Sequence, residues 1–481
     1  MKKTKLLNLG ALALVAASVV GCGPRAPEYT GEEVQGVTET EILIGNTAAA
    51  SGAFATVGQP FNIGLNAALK VFNDKGGYNG KTVRLIHHDD GFNAETGLVN
   101  TKKLVEEDKV FALVGHFGTP TVGATLDYIG YEKGIPMVYA ATGISGLYNE
   151  EAQGYEKAIM SVQPIYNAEG RVLLARAVAA TEGNKGLGAT KVGVISTKDE
   201  AGIGMLDGIK TQAKELNVKI KYVTTDAATG TNHAAAVNAL KTAGCDVIVI
   251  AANQAPFQEI MSYMKDGGLD NVKVITSYVS ANAADLKKLE EGGAITATRE
   301  VYTAAWLDIT DYEYKFLPAG GDMTTLDADM YLYSCYGAIS SANLLGVPGF
   351  SKEYWDAAVA ITDYLLTPEA WLFQDGLPAF HMSYNSYALA GYIAGTMFCE
   401  GLDRVKASNQ DLTWLNYINA MESSPIDIPM GGGVDYANGA RLGITDLALN
   451  KYDMATDQLV AYSGITSLDK VMEAVPADKK K

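Results

Sequence analysis

The stretch FALVGHFGTPTVGATLDYI, Phe111 to Ile129, holds the outline of the fold within nineteen residues. Phe111-Ala112-Leu113-Val114 is an apolar run of strand length. Gly115 to Thr121 then places two glycines, two threonines and a proline where a helix should begin. A strand, a glycine-bounded loop and a helix start aim several free backbone N–H groups at one spot. This corner is therefore both a unit of an α/β sheet and the first candidate binding site.

Working outward, the unit repeats. Ile42-Leu43-Ile44, Val83-Arg84-Leu85-Ile86 and Pro136 to Ala140 read as further strands. Between them Phe61, Leu65, Ala68 and Phe72 recur at helical spacing, as do Ala94, Leu98, Thr101 and Val105. Gly76-Gly77 stops the first of these helices. The pattern restarts at Val192-Gly193-Val194-Ile195, followed by Ile220 to Val223, Val247 to Ala251 and Val272 to Ile275, with helices near 204–216, 232–243 and 256–266. Strands alternating with helices predict parallel sheets covered on both faces, and two such series predict two lobes. Beyond Tyr302 the alternation loosens, and 306–380 reads as an insertion; helical spacing returns at Tyr387, Gly391, Ala394 and Phe398.

The 481 residues are 48% apolar and 19% charged, which is globular composition. With 38 Lys and Arg against 55 Asp and Glu the formal charge is −17, so the chain has no general electrostatic reason to hold nucleic acid. The N-terminus reads as a targeting segment: Lys2, Lys3 and Lys5 precede an apolar core from Leu6 to Val20. That core is shorter than the ~20 residues of a membrane-spanning helix. Gly21-Cys22 at its end resembles a bacterial lipobox, which implies cleavage before Cys22 and lipid on its sulfur. Residues 1–21 are read as the signal peptide and 22–39 as a flexible tether. Of the other cysteines, Cys245 opens a strand as a core thiol, and Cys335 and Cys399 are left as a pair the sequence neither makes nor excludes.

Several sharper motifs yield to plainer readings. His87 and His88 are adjacent on a strand and point to opposite faces, so they do not share a metal ion. Gly202-Ile203-Gly204-Met205-Leu206-Asp207-Gly208 mimics a dinucleotide fingerprint, but its third glycine is one residue late. Gly115 to Thr119 lacks the lysine of a phosphate loop, and no Gly-x-Ser-x-Gly elbow occurs. No cofactor and no metal are expected.

The block from Ser51 to His116 is similar to the type I periplasmic solute-binding proteins of ABC transporters, in the leucine/isoleucine/valine and amide-binding branch. The matching pieces are Ser51-Gly52, Gly58, Asn73 with Gly76-Gly77, Gly80, Asp89-Asp90 and KLVEEDKVFALVGH, followed in order by IPMVYAAT, GIGMLDG and AGCDVIVIAA. The resemblance implies an α/β fold of two Rossmann-like lobes joined by three crossover strands, near Val162–Pro164, Glu300–Thr303 and Gly431–Tyr436. It divides the chain into 40–163 plus 303–431 and 164–302 plus 432–475. It also implies a binder rather than an enzyme: an extracytoplasmic lipoprotein, anchored at Cys22, that presents a small amino-acid-like or carboxylate/amide ligand to an ABC permease and its ATPase. The rivals are a two-lobed extracellular sensor and a secreted α/β hydrolase or amidase.

Carried over residue by residue, Thr119, Ala140 and Thr142 stand where the family grips a ligand carboxylate. Ala201, Asn253 and Tyr278 stand where it holds an ammonium, Tyr278 replacing the family's glutamate. A buried ammonium without a carboxylate partner costs several kcal/mol. Either Asp199, Glu200 or Glu300 substitutes, or the ligand has no ammonium. The resemblance also pairs positions 92 and 118 as a disulfide, and here they are Phe92 and Gly118. Phe54, Phe117, Tyr302 and Trp306 are the aromatics expected to line the pocket.

Overall fold

In the computed structural model, which describes residues 25–228, 230–307, 352–368, 370 and 386–477, the apolar runs close into two main sheets. The first contains β1 (Glu41–Ala48), β2 (Thr82–Asp89), β3 (Ala112–Val114), β4 (Met137–Val138) and β5 (Ile159–Met160), all parallel, in the order β2-β1-β3-β4-β5. Its connections carry α1 (Ala55–Asp74), α2 (Ala94–Glu106) and α3 (Thr119–Asp127). After α4 (Tyr166–Val178) the second series runs β6 (Val192–Thr197), α5 (Glu200–Leu216), β7 (Ile220–Thr225), α6 (Ala234–Ala243), β8 (Val247–Ala251), α7 (Gln254–Asp266), β9 (Val272–Thr276), α8 (Ala283–Glu291) and β10 (Arg299–Ala305). Its parallel strands lie in the order β7-β6-β8-β9-β10. Both units thus share one doubly wound topology, and in each the order reverses between the first and third strands. That reversal opens a crevice beyond the strand C-termini.

Local chemistry explains the boundaries. α1 ends where Gly76 and Gly77 adopt φ of 99° and 56°, and the Gly77 N–H donates to the Phe72 carbonyl at 3.1 Å. α5 starts at Glu200, ahead of the expected 204, because the Asp199 carboxylate accepts the Gly202 N–H at 3.0 Å. Gly202 is a packing glycine: a Cβ there would lie 2.3 Å from the Thr197 carbonyl oxygen. Gly202 therefore seats α5 against its strand, whereas Gly208 lets α5 approach α4, a Cβ there lying 1.9 Å from the Asn167 carbonyl oxygen.

The chain leaves the first sheet after Met160, and β10 lies inside the second sheet rather than between sheets. Residues 303–305, expected in the first lobe, accordingly belong to the second sheet. Leu307 then bridges to Gly431. In the C-terminal part, α9 (Lys352–Leu365), α10 (Ser386–Ala407) and α11 (Trp414–Glu422) are followed by a small pair, β11 (Ile426–Asp427) and β12 (Gly433–Val434). β13 (Leu447–Asp453) and β14 (Gln458–Thr466) form a hairpin that extends the second sheet antiparallel from β10, before α12 (Leu468–Glu473). The periodicity did not announce this hairpin.

α1 and α10 meet backbone to backbone. A Cβ on Gly64 would lie 1.7 Å from the Ala388 carbonyl oxygen, and one on Gly391 would lie 1.8 Å from that of Phe61. This contact docks the returning chain on the first unit.

The expected tether is corrected over residues 25–39, which are docked on the first unit. Ala26 is buried, the Tyr29 hydroxyl donates to the Gly134 carbonyl at 2.5 Å, and Tyr29 tilts against Tyr155 with ring centroids 4.9 Å apart. Gln35 donates to the carbonyls of Val105 and Val110, and the Trp414 N–H donates to that of Glu33. The segment is rich in glycine and acid, but Ala26, Tyr29 and Gln35 find partners on the folded body. Cys22 and the signal segment lie outside the described residues, as do Cys335 and most of 306–380. Cys245 and Cys399 are buried thiols. No described helix is long and apolar enough to cross a membrane.

Candidate functional site

A cavity of about 200 Å³ lies in the crevice between the two sheets. The first unit contributes the corner read at the outset: Phe117, Gly118 and Thr119, with Ala141 from the turn after β4 and Phe61 from α1. The second contributes Tyr166 at the start of α4, Asn253 and Gln254 at the start of α7, Tyr278 after β9, and Asn282 before α8. Trp306, Tyr387 on α10 and Asn450 on β13 complete the walls. These are the C-terminal strand ends and helix starts at which a doubly wound sheet binds ligands.

The polar end is a cluster of hydroxyls. Thr119 Oγ1 shares hydrogen bonds with Thr142 Oγ1 at 2.9 Å and with the Tyr166 hydroxyl at 3.3 Å. Thr119 is also the first residue of α3, so the free N–H groups and positive end of that helix face the same place. An anion can be held here by dipoles and hydroxyls alone.

The rest is aromatic. Phe54 and Phe92 stack with centroids 3.8 Å apart, and Trp306 stands edge-on to Tyr278 at 6.3 Å. Counting these with Phe61, Phe117, Tyr166 and Tyr387, eight aromatic rings border a cavity in which no described lining residue carries a charge. Phe92 occupies the place of the absent disulfide: its ring covers Gly118, where a Cβ would lie 2.7 Å from Phe92 Cε2. Gly118 has φ of 103°, which glycine adopts without strain.

Behind the aromatic wall lies a buried acid. Glu169 accepts from Ser277 Oγ at 2.8 Å and from the Tyr278 N–H at 3.2 Å, and so fixes the loop that presents Tyr278. Burial raises its pKa to about 7 against the pull of those hydrogen bonds. Behind the first-unit corner, His116 is fully buried with Nε2 against Thr101 Oγ1 at 2.9 Å, and burial lowers its pKa to about 3. It is a neutral structural imidazole.

Of the residues carried over from the resemblance, Thr119, Asn253 and Tyr278 line the cavity together. Thr142 stands directly behind Thr119. Ala140 is buried beside the lining residue Ala141, and Ala201 is sealed within the first turn of α5; neither borders the cavity. No substitute acid enters either. Asp199 caps α5, Glu300 is paired with Lys451 at 2.5 Å, and Glu200 is absent from the lining. Phe54, Phe117 and Trp306 line the cavity as expected, whereas Tyr302 packs against Tyr462 instead. Sequence reasoning missed Phe92, Tyr166, Gln254, Asn282 and Tyr387. The Phe92–Gly118 exchange was their one legible trace. His87 and His88 turn to different partners, Asn46 with Asn62 and Asp108, and no metal-ligand cluster occurs among the described residues.

The family description "periplasmic binding protein" matches residues 41–340. An amino acid binding protein of Pseudomonas aeruginosa is 27% identical over 224 residues, which cover 45% of this chain and 51% of that one. The chain thus spans about half the length of this curated relative. Among solved structures, a branched chain amino acid ABC transporter protein from Thermus thermophilus with bound valine superposes with a TM-score of 0.65 at 14% identity, covering 91% of this chain and 100% of that one. A solute binding protein from R. palustris in complex with 4-hydroxybenzoate superposes with a TM-score of 0.63 at 16% identity, covering 89% and 97%. At these identities the superpositions speak for the fold.

Proposed function

Because the chain belongs to the periplasmic binding protein family, we propose that it is the extracytoplasmic solute-binding component of an ABC importer, lipid-anchored at Cys22, whose ligand is a small carboxylate with a planar aromatic or similarly bulky apolar body. The observation that carries this reading is the lining: eight aromatic rings, a hydroxyl cluster at a helix N-terminus, and no charged side chain among the described residues. Each ring pair adds about 0.5–1.5 kcal/mol beyond area burial. An ammonium placed there without an acid would lose several kcal/mol. The balance favours the kind of ligand held by the R. palustris neighbour over that held by the Thermus one.

The lobes divide at 161–165, at 306–307 and within 431–446, and the two walls grip one ligand only when shut. Ligand therefore draws an open–closed equilibrium toward the closed form that a permease would recognise. No bond is made or broken. The hydrolase reading needs an apposed nucleophile and base, and the described lining contains neither histidine nor cysteine. A lipid on Cys22 would hold the body close to the bilayer: the docked chain resumes at Ala26, and the four intervening steps span at most ~14 Å.

The test is a thermal-shift and calorimetry panel of benzoate and its ring-substituted analogues against leucine and valine. Aromatic carboxylates should raise the melting temperature and be recovered unaltered. A larger shift with leucine or valine would overturn the ligand assignment.

A further inference from the structure

The second unit's wall carries information about the far end of the ligand. Asn253 and Gln254, at the start of α7, both line the cavity, and each side-chain amide is held from behind by a carboxylate. Asn253 Nδ2 donates to Asp199 Oδ2 at 3.4 Å. Gln254 Nε2 donates to Asp285 Oδ2. Asp285 is itself fixed: it accepts from Asn282 Nδ2 at 2.9 Å and from Lys288 Nζ at 3.2 Å, and its N–H donates to Asn282 Oδ1. Asp199 is fixed as the cap of α5, accepting from Gly202 N and Thr197 Oγ1.

Ionised carboxylates only accept hydrogen bonds, so each amide must turn its NH₂ toward the acid and its carbonyl oxygen away from it. Neither side-chain carbonyl oxygen, Asn253 Oδ1 or Gln254 Oε1, has a hydrogen-bond partner among the described residues. Although Asn253 is the N-cap residue of α7, its side chain makes no cap bond. The acids thus lock an otherwise ambivalent pair of amides into acceptors.

We infer that this wall selects a hydrogen-bond donor, a hydroxyl or N–H, on the end of the ligand remote from its carboxylate, with Asn253 and Gln254 as acceptors and Asp199 and Asp285 as the residues that position them. The inference rests on the aromatic-carboxylate reading above and adds a polarity to it. One wall donates to the carboxylate, and the other accepts from the far substituent. A second carboxylate would face two carbonyl oxygens backed by two acids, and an ether would offer acceptor against acceptor.

The test is calorimetry with benzoate, 4-hydroxybenzoate, 4-aminobenzoate, 4-methoxybenzoate and terephthalate. The hydroxy and amino compounds should bind roughly tenfold or more tighter than the methoxy compound and terephthalate. Asp285→Asn and Asp199→Asn free the amides to flip and should cut that ratio. Gln254→Leu, at a half-buried position that leaves the acid network of α8 in place, should bring it toward one. A merely structural role would weaken donor and non-donor ligands alike and leave the ratio unchanged, which would overturn the inference. Equal affinities in the unaltered protein would also overturn it while sparing the ligand class. Failure of all five probes to bind would overturn the ligand class and the inference with it.

Discussion

Thr119 bears the greatest load at the scale of single residues, since its hydroxyl reaches the cavity and its N–H begins α3. Thr119→Ala should weaken an aromatic carboxylate by roughly ten- to a hundredfold, the range of a hydrogen bond to a charged group. Thr142→Ala, which removes only the hydroxyl behind it, should cost less, and calorimetry on both variants would show a reversed order if Thr142 were the direct contact. Glu169 makes a second prediction. Its folded pKa of about 7 lies above its ordinary 4.5, so the folded state binds the extra proton between those values. Its contribution is present at acid pH and falls as pH rises from about 4.5 through 7, by on the order of 3 kcal/mol in total. Glu169→Gln should therefore gain melting temperature over the unaltered protein at pH 8 and lose that advantage near pH 5. A variant destabilised equally at both values would show that the carboxyl is not the titrating group.

Among elements, the α1–α10 contact is the least tolerant. Overpacking ordinarily costs ~1–3 kcal/mol, and here the obstruction is backbone on both sides. Gly391→Val should lower the melting temperature by several degrees or more, while the same change at Gly432, where a Cβ meets nothing within 4 Å, should be nearly neutral. Equal effects at the two sites would deny the close approach. The element scale also shows how far periodicity reaches. It placed the strands of both units and their helices, since period and length report which face is buried. It missed the β13–β14 hairpin because β14 is half-buried on both faces and alternates poorly. It also read 25–39 as free chain, because the partners of Tyr29 and Gln35 lie about 70 to 100 positions away.

For the whole molecule, two opposing titrations set a stability optimum. His87 and His116 are buried imidazoles with pKa values lowered to about 4 and about 3, so they favour the folded state above 6.5 and withdraw that stability as pH falls through these values. Glu169 withdraws its share as pH rises through 7. The melting temperature should peak near pH 6–7 and fall steeply toward pH 4, a profile that scanning calorimetry can check. A steady rise toward pH 4 would refute the neutral imidazoles. Ligand closure belongs to the same scale: saturating benzoate should shrink the radius of gyration in solution scattering, and an unchanged radius would argue against hinged lobes. On the proposed lipid anchor, Cys22→Ser should abolish palmitate labelling, and labelling that persists would refute that anchor.

What the sequence determined by itself was whatever depends on neighbours along the chain. That covers the strand and helix series, the doubled α/β architecture, the family resemblance, and the Gly115–Thr119 corner as a place where N–H groups converge. What only the tertiary structure decided was the company kept at that corner. Tyr166, Gln254, Asn282 and Tyr387 reach it from four separate stretches of chain, and Ala140 and Ala201 lie buried outside the lining. The reason is physical. Burial and periodicity are local consequences of where a side chain points, whereas a pocket between two sheets is made of contacts across long loops whose closure leaves no periodic mark on the chain.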